Sequence, residues 1–362
     1  MVIDEKYKNE FMRVLIPIVV WVWCLVGCKK GEVVVPPVST ETLQSVASFP
    51  IGASVDPNLL KNNVSYRDVV SREYSSLTVE NAMKWSWVHP AQNTFDFAGA
   101  DYIVDFAVAQ KKRVHGHCLV WYSSNPDWLT QFQGDSVAWE GLLKTHIMTV
   151  VGHYKGKVAS WDVVNEAIDE DGSFRTVGNI WWEKLGTGYI ERAFQYAHQA
   201  DPDALLFYNE YGQEWSPRKR DAEVRMVADF QRRGVPIHGL GMQAHTDIAI
   251  PENLLQEAMV ALAQTGLKVH VSELDVSVNP QNDGQLTFTD ALKATQSDRY
   301  RYIGQTYKAV VPVGQRHGIT TWNVGDGDSW IVAWLKRNDW PLLFDGGYKR
   351  KVAYDGFLAG IR

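Results

Sequence analysis

Short apolar runs rich in β-branched and aromatic residues alternate with longer stretches of helical period from about residue 50 onward. A brief apolar run of this kind between turn signals is typical of a buried strand. We count eight such runs, at residues 51–55, 75–81, 113–121, 158–167, 204–210, 239–245, 268–276 and 318–324. The segments between them predict helices, of which residues 190–198 and 251–263 have the clearest pattern; the second starts with proline and is followed by Gly266.

This alternation predicts the fold class α/β. Consecutive strands that are joined through helices lie parallel in a sheet, and eight such units in one domain predict a single (β/α)8 TIM barrel. The sequence shows no repeat of 20–50 residues and no pattern of a second domain. We therefore assign residues 46–362 to one barrel.

Polar side chains stand at or near the end of six of the eight apolar runs, where a buried strand would normally exclude them because an unpaired buried charge is costly. In a (β/α)8 barrel the carboxyl ends of the strands form the rim of the active site. Carboxylates, amides and imidazoles together on this rim suit acid–base chemistry on a hydroxyl-rich substrate. The residues concerned are Glu80 with Asn81, His117, Asn165 with Glu166, Asn209 with Glu210, Gln243 with His245, and Glu273 with Asp275.

Two carboxylates stand out: Glu166 closes the fourth run and Glu273 lies near the end of the seventh. A closed barrel curls these two strand ends toward one central cleft, so the carboxylates could face each other. Paired carboxylates across a cleft are the machinery of glycoside hydrolysis. The spacing alone is equally compatible with two separate buried salt bridges.

The histidines allow a different hypothesis. His115 and His117 lie two residues apart on one face of a strand, and with Cys118 and the distant His245 they could form a zinc site. The sequence lacks the His-Glu-x-x-His and Cys-x-x-Cys patterns, and a histidine can orient a carboxylate or bind a sugar without metal. We expect no metal and no cofactor. A serine nucleophile is also not indicated, because no Gly-x-Ser-x-Gly motif follows a strand.

The composition is that of a globular protein, with 362 residues, 45% hydrophobic and 22% charged. The net charge of −6 and the lack of a long basic run argue against a nucleic-acid partner. Fifteen tryptophans suit a site that stacks on apolar ligand faces, although a tryptophan-rich core would give the same count.

The N-terminal segment has the layout of an export signal. Arg13 precedes a short apolar run that ends in LVGC at residues 25–28, which resembles the signal of bacterial lipoproteins. This resemblance predicts a signal peptide over residues 1–27, with translation starting at Met12, and acylation of Cys28. The alternative is an uncleaved anchor helix, which the proline inside so short a run disfavours.

The residues after this signal predict a tether. Residues 28–45 comprise the acylated cysteine and a polar stretch with paired prolines. We expect an exported protein that is lipid-anchored to a bacterial membrane, on the periplasmic or cell-surface side, and that contacts the membrane through this anchor only. Cys24 would leave with the signal and Cys28 would carry lipid, so Cys118 has no partner for a disulfide.

The motifs together resemble a known family. WDVVNEA, HVSELDV, HGHCLVWYSSNPDWL, ENAMKW, GLGMQAH and WNVGDGDSW stand on strands four, seven, three, two, six and eight. In this arrangement they resemble glycoside hydrolase family 10, the endo-1,4-β-xylanases, over residues 46–362. The resemblance implies hydrolysis of xylan and xylo-oligosaccharides with retention, and we expect a monomer.

Two alternatives remain open at this stage. One is a related barrel glycosidase that acts on other β-1,4-glycans or on short aryl-xylosides; the ENAMKW motif argues against other glycans. The other is a non-catalytic glycan-binding lipoprotein on a decayed barrel. Both carboxylates are present, which argues against decay.

The resemblance also implies a role for each site residue. Glu166 would be the general acid/base and Glu273 the nucleophile, with His245 and Asp275 keeping the nucleophile ionised and oriented. Asn165 would bind the 2-hydroxyl of the sugar at the cleavage point. The remaining substrate contacts would be polar groups on the glycone side, one amide near the nucleophile and three aromatic walls: Glu80, Asn81, Lys84, His117, Gln243, Trp121, Trp322 and Trp330.

Four positions depart from the usual family pattern. Tyr122 stands in place of a second histidine, Asn323 in place of a glycine, and His115 in place of a common arginine. The segment Glu210-Tyr211-Gly212 replaces a more usual Asp-Tyr-Asn. Tyr122 and Asn323 are expected near the glycone side, where they would alter the shape of the subsites.

Overall fold

Eight parallel strands form a closed barrel in the computed structural model, which describes residues 41–362. Neighbouring strands pair in chain order, and the last strand pairs with the first, which closes the barrel. A ninth strand, β7, is a three-residue extension that pairs only with the C-terminal half of β8. The strands are β1 (Ile51–Val55), β2 (Ser76–Val79), β3 (Arg113–Trp121), β4 (Ser160–Asn165), β5 (Leu205–Glu210), β6 (Gly239–Met242), β7 (His245–Asp247), β8 (Lys268–Ser277) and β9 (Arg316–Thr321).

Helices follow the strands, so the predicted single (β/α)8 barrel is confirmed. The predicted helix at 190–198 lies within α9, and the one at 251–263 matches α11 except that Pro251 is the residue before its first turn. The helices are α1 (Leu43–Val46), α2 (Pro57–Asn62), α3 (Val64–Glu73), α4 (Trp85–Val88), α5 (Ala98–Ala109), α6 (Asp127–Thr130), α7 (Ser136–His153), α8 (Ile180–Leu185), α9 (Gly188–Ala200), α10 (Pro217–Arg233), α11 (Glu252–Gln264), α12 (Asp290–Val310), α13 (Trp330–Ala333) and α14 (Val352–Ile361).

Local sequence signals set several helix ends. Ser216 caps α10 by accepting a hydrogen bond from the Lys219 backbone, and Pro217 occupies its first turn. Gly234 ends the same helix with a φ of 73°, a left-handed conformation that glycine adopts without a steric cost. These signals fix the length of the helix that connects β5 with β6.

Several strand ends differ from the sequence prediction. The run at 158–167 stops pairing at Asn165, because Glu166 has a φ of 58°. The run at 239–245 is interrupted at Ala244, which also has a φ of 58°. The last strand begins two residues before the predicted Gly318 and ends at Thr321. At two of these ends, therefore, the chain turns through a left-handed residue where the strand meets the rim.

Glycines make room for large rings of the neighbouring strands on both sides of the barrel wall. A β-carbon on Gly116 would lie 2.2 Å from the ring of Trp161, and one on Gly239 would lie 2.0 Å from the ring of Phe207. Phe207 contacts His270 and His317 and fills the barrel interior, whereas Trp161 lies on the outer side of β4 against Tyr154, next to α7. Among residues 41–362, no helix has the length and apolar character needed to cross a membrane.

The predicted signal peptide and Cys28 lie outside the described residues. The end of the predicted tether is described from Glu41 onward, and Leu43 of α1 is fully buried. Cys118 is buried and forms no disulfide within residues 41–362.

Candidate active site

The carboxylates of Glu166 and Glu273 lie in one cleft at the rim and belong to one hydrogen-bond network. Asn209 Nδ2 donates to Glu273 Oε1 at 2.6 Å and to Asn165 Oδ1 at 2.8 Å. Asn165 Nδ2 in turn donates to Glu166 Oε1 at 3.0 Å. Two amides thus connect the carboxylates, and within residues 41–362 Glu166 forms no salt bridge. This arrangement does not fit two separate buried ion pairs.

A histidine between two carboxylates sets the charge of Glu273. His245 Nδ1 lies 2.7 Å from Asp275 Oδ2, and His245 Nε2 lies 3.3 Å from Glu273 Oε2. Burial disfavours the charged imidazole, but Asp275 and Glu273 outweigh it and raise the pKa of His245 to about 10. Both ring nitrogens then carry protons, and His245 donates to both carboxylates.

The ionised form of Glu273 is favoured overall. Burial by itself raises the pKa of this carboxyl, but the hydrogen bond from His245 and the charges of His117 and His245 lower it below its ordinary value. Glu273 is 4% exposed, so the low dielectric strengthens these interactions. A buried, ionised and oriented carboxylate has the properties of a nucleophile.

Glu166 has a different environment, because its carboxylate contacts neutral donors. Gln243 Nε2 donates to Oε1 at 2.8 Å, and the indole nitrogen of Trp121 donates to Oε2 at 3.0 Å. Together with Asn165, these groups fix the side chain without placing a cation against it. The two carboxylates therefore sit in unlike surroundings, which is the usual basis for dividing acid and nucleophile roles.

A polar cluster with two indole walls lies beside this network. Lys84 Nζ donates to Asn81 Oδ1 at 2.9 Å, and it lies 5.2 Å from the ring centroid of Trp121 and 5.6 Å from that of Trp322. Burial raises the pKa of the nearby Glu80, whose carboxyl also contacts Lys84 electrostatically. These groups offer hydrogen bonds to sugar hydroxyls and flat faces to sugar rings.

Trp330, which we predict to be a substrate-contacting aromatic, also forms a hydrogen bond within the site. Its indole nitrogen donates to Asp275 Oδ2 at 2.7 Å, and its ring centroid lies 4.9 Å from that of His245. It therefore supports the pair that orients Glu273, in addition to any contact its ring makes with a ligand.

The two positions at which the chain departs from the family pattern near the glycone side have clear structural settings. Asn323 has a φ of 78°, a left-handed conformation that favours glycine. Asparagine adopts this conformation more readily than most other residues with a β-carbon, so it can replace glycine there. Its Oδ1 accepts from the Trp330 backbone at 2.9 Å. Tyr122 is stacked against Arg175, whose guanidinium carbon lies 4.3 Å from its ring centroid.

The histidines and cysteine considered as a zinc site are not brought together. His115 and His117 contact opposite oxygens of the buried Asp162, at 3.0 and 2.9 Å, whereas His245 lies against Glu273. Cys118 is adjacent in sequence but has no metal-ligating cluster around it among residues 41–362.

His115 does approach two further buried histidines, His270 and His317, at the N-terminal end of the barrel. One nitrogen each of His115, His270 and His317 lies within 4.8 Å of the others. The nitrogens are largely used in hydrogen bonds, since the Ser160 hydroxyl lies 2.7 Å from His115 and 3.0 Å from His317. The positive Arg113 beside them lowers the pKa of His317, after burial, and also disfavours a metal cation.

The structure brings together all the predicted site residues that it describes, and it adds one that sequence analysis had not assigned. Asn209 links Glu273 with Asn165, and its own Oδ1 accepts from Ser272 Oγ at 2.6 Å. The signal was present, because Asn209 belongs to a polar pair at the end of the fifth run. Its role required the register that places β5 between β4 and β6.

Comparison with known proteins gives consistent matches. Residues 40–359 match the sequence profile of the family described as Glycosyl hydrolase family 10. A protein named Beta-1,4-xylanase from Dictyoglomus thermophilum is 38% identical over 314 residues, which cover 84% of this chain and 86% of the relative. The solved structure of native xylanase10C from Cellvibrio japonicus has a TM-score of 0.85 at 38% identity, over 88% of this chain and 72% of that chain. A variant of that enzyme in complex with xylopentaose has a TM-score of 0.84 at 38% identity, over 89% and 69% of the two chains.

Proposed function

Because this chain belongs to glycosyl hydrolase family 10, we propose that it hydrolyses internal β-1,4 bonds of xylan and xylo-oligosaccharides with retention of anomeric configuration. The observation that carries the proposal is the pairing of two unlike carboxylates on one rim. Glu273 is held by a cationic histidine, and Glu166 is held by neutral donors. The relatives named as xylanases support the substrate class.

The first step of the reaction forms a covalent intermediate. Glu273 attacks the anomeric carbon as the bond to the leaving oxygen breaks, and Glu166 gives its proton to that oxygen. The product is a glycosyl ester of Glu273, and the aglycone departs as a neutral alcohol. His245 holds the attacking carboxylate in place through its hydrogen bond at 3.3 Å.

The second step reverses the roles. Glu166, now ionised, takes a proton from water, and the water oxygen attacks the anomeric carbon while the ester bond to Glu273 breaks. Two inversions at one carbon give net retention. Glu166 ends the cycle protonated and Glu273 ends it ionised.

Substrate selection rests on the cluster beside the nucleophile. Lys84, Asn81 and Glu80 offer a dense set of polar groups, and Trp121 and Trp322 offer flat faces. A site built to saturate particular hydroxyls discriminates against sugars that leave its buried polar groups unpaired. We expect xylan to be preferred over cellulose for this reason.

Two carboxylate substitutions test the division of roles. Glu273→Ala removes the nucleophile and should abolish turnover of all glycoside substrates. Glu166→Ala should spare the first step for a substrate with a good leaving group, which needs little protonation, and should slow the second step. Equal loss on good and poor leaving groups in Glu166→Ala would refute its role as the acid.

A product profile tests the substrate class. Glucuronoxylan, arabinoxylan and carboxymethyl-cellulose are digested side by side, and the oligosaccharides released are separated by chromatography. Xylo-oligosaccharides of several lengths from the two xylans, with little release from the cellulose, are expected. Equal activity on cellulose would contradict the assignment of the polar cluster.

The domain plan and location that we propose come from the sequence. Residues 1–27 would be a signal peptide, residues 28–45 would be an acylated Cys28 with its tether, and residues 46–362 would be the catalytic domain of a monomer anchored to a bacterial membrane. Cys28→Ser should release the protein from the membrane fraction or block its processing. Intact-mass analysis of membrane-derived protein that showed an unmodified Cys28 would refute the anchor.

A further inference from the structure

The backbone at Glu166 is held in an unusual conformation. Its φ of 58° is left-handed, a region that costs energy for a residue with a β-carbon and persists only when the surroundings enforce it. The Glu166 amide donates to the Asn209 carbonyl at 2.9 Å, and Arg175 Nε donates to the Glu166 carbonyl at 3.0 Å. The turn that aims the Glu166 side chain is therefore fixed on both sides.

Two side chains of β5 hold the residues immediately after this turn. The Ala167 amide donates to the Tyr208 hydroxyl at 3.0 Å, and the Ile168 amide donates to Glu210 Oε2 at 3.2 Å. The Tyr208 hydroxyl donates to the same Glu210 oxygen at 2.6 Å. Tyr208 and Glu210 are both 0% exposed, so they act from within the protein and do not contact substrate.

The other oxygen of Glu210 is equally engaged. Its Oε1 accepts from the Tyr211 amide at 3.1 Å and pairs with Lys219 Nζ at 3.1 Å. All four neighbours of the carboxylate are donors, and only a carboxylate can accept from all of them. Burial raises the pKa of Glu210 to about 7, with Lys219 acting in the opposite direction. Glu210 also stands where the family resemblance has a shorter aspartate.

We propose that Tyr208 and Glu210 are positioning residues that aim the acid/base Glu166 at the glycosidic oxygen, through the turn at residues 166–168. The inference rests on the proposed function, since it assigns these residues to the proton transfer of that reaction. General acid catalysis requires the proton donor to lie within hydrogen-bond reach of the leaving oxygen. A displacement of the donor by about 1 Å can lower the reaction rate by up to about 100-fold.

A positioning role predicts a dependence on the leaving group that lost stability does not produce. The kcat/KM of a retaining glycosidase reports the first step, in which Glu166 acts as acid. A 2,4-dinitrophenyl leaving group departs without protonation, whereas a phenyl leaving group needs it. Mis-aiming Glu166 should therefore lower kcat/KM on phenyl β-xylobioside much more than on 2,4-dinitrophenyl β-xylobioside.

The test compares Tyr208→Phe and Glu210→Gln with wild type on these two xylobiosides. Tyr208→Phe removes only the hydroxyl, and Glu210→Gln replaces an acceptor oxygen with a donor. Tyr307→Phe is the matched control, because that buried hydroxyl also accepts a backbone amide, from Gly318 at 3.0 Å, but lies at the opposite end of the barrel. Glu210→Asp keeps the carboxylate and should retain more phenyl activity than Glu210→Gln.

The expected result is a loss of kcat/KM at least tenfold greater on the phenyl substrate than on the dinitrophenyl substrate for both variants, with an unchanged ratio in Tyr307→Phe. Equal losses on the two substrates, or no loss, would overturn the positioning role. If Tyr208→Phe does not fold, the two Glu210 variants decide by the same ratio. If wild type hydrolyses neither xylobioside, the proposed function itself fails.

Discussion

The charge on His245 distinguishes Glu273 from Glu166 at the scale of single residues. Asp275 keeps that histidine protonated, with a pKa of about 10, and the protonated histidine lowers the pKa of Glu273. A carboxyl whose pKa is lowered in the folded protein stays ionised down to lower pH, so Glu273 is protonated only as pH falls through that lowered value. If Glu273 is the nucleophile that we propose, Asp275 should set the acidic limit of activity through His245, without contacting Glu273.

Replacing Asp275 should move this limit. Asp275→Asn removes the charge that holds the His245 proton, so His245 becomes neutral more easily and the pKa of Glu273 rises. We expect the acidic limb of the kcat/KM profile on xylo-oligosaccharides to shift upward by about one pH unit or more. Asp201→Asn is the control, since Asp201 is buried at the other end of the barrel and accepts the Gly156 amide at 3.4 Å. An unshifted limb in Asp275→Asn would contradict this reading.

Close contacts between neighbouring strands position the amides at the scale of the secondary-structure elements. Gly241 of β6 lies against Asn209 of β5, and a β-carbon at Gly241 would be 2.0 Å from Asn209 Oδ1. Asn209 links Glu273 with Asn165, so the missing side chain at Gly241 leaves room for the bridge between the carboxylates. The close packing of β5 against β6 at Gly241 is therefore needed for the geometry of the site.

A methyl group at Gly241 should damage catalysis. Gly241→Ala pushes Asn209 away from Glu273, and we expect kcat on xylan to fall by about tenfold or more, the scale of a lost hydrogen bond to a charged group. Gly141→Ala in α7 is the matched control, because no atom lies within 4 Å of its β-carbon position. That exposed helical substitution should keep full activity and gain up to about 1 kcal/mol in stability. Similar activity of the two variants would refute the packing argument.

Hydrophobic periodicity predicted most strands and helices, but it did not predict the residues with a positive φ that end two of the strands. The eight runs predicted the barrel, because strand alternation with helices leaves few other folds. The last strand was misplaced because Arg316 and His317 are polar, although the Arg316 side chain donates to the Val311 carbonyl and its backbone pairs with Val269. The turns at Glu166 and Ala244 leave no trace in hydrophobicity, since neither residue is one that favours a positive φ.

Hydrophobic periodicity also failed to identify side chains that hold other site residues in position. Polar strand ends predicted the cleft residues, because the rim gathers them whatever the exact register. From the sequence, Tyr208 is predicted to be a core aromatic residue within an apolar run. Only the structure shows that its hydroxyl accepts a hydrogen bond from the Ala167 amide. Asn209 likewise required the strand order.

At the scale of the whole molecule, one buried carboxylate joins the first and last helices of the described residues, 41–362. Glu73 of α3 accepts from Arg350 at 2.8 Å, from Arg72 at 2.9 Å and from the Tyr354 hydroxyl of α14 at 2.8 Å. It also accepts from the Leu43 amide of α1 at 3.2 Å. One carboxylate thus ties the first and last helices of the described chain to the barrel.

This carboxylate should make stability depend on pH. Burial alone raises the pKa of Glu73, but Arg350, Arg72 and Tyr354 lower it overall, so its contribution is present above the unfolded value of about 4.3 and is lost as pH falls. Glu73→Gln should cost about 3 kcal/mol near pH 7, and the deficit should shrink toward pH 3. Thermal unfolding across pH measures it, with the exposed Glu257→Gln as control. A deficit that is constant with pH would contradict the ion-pair account.

The most direct test of the double-displacement mechanism is the anomeric configuration of the first-formed product. Proton NMR follows the hydrolysis of xylohexaose by the wild-type enzyme, before mutarotation equilibrates the new reducing end. Attack by Glu273 and then by water that Glu166 activates predicts that the β-anomer appears first, because two inversions restore the starting configuration. Initial appearance of the α-anomer would show a single displacement by water and would contradict the role of Glu273 as nucleophile.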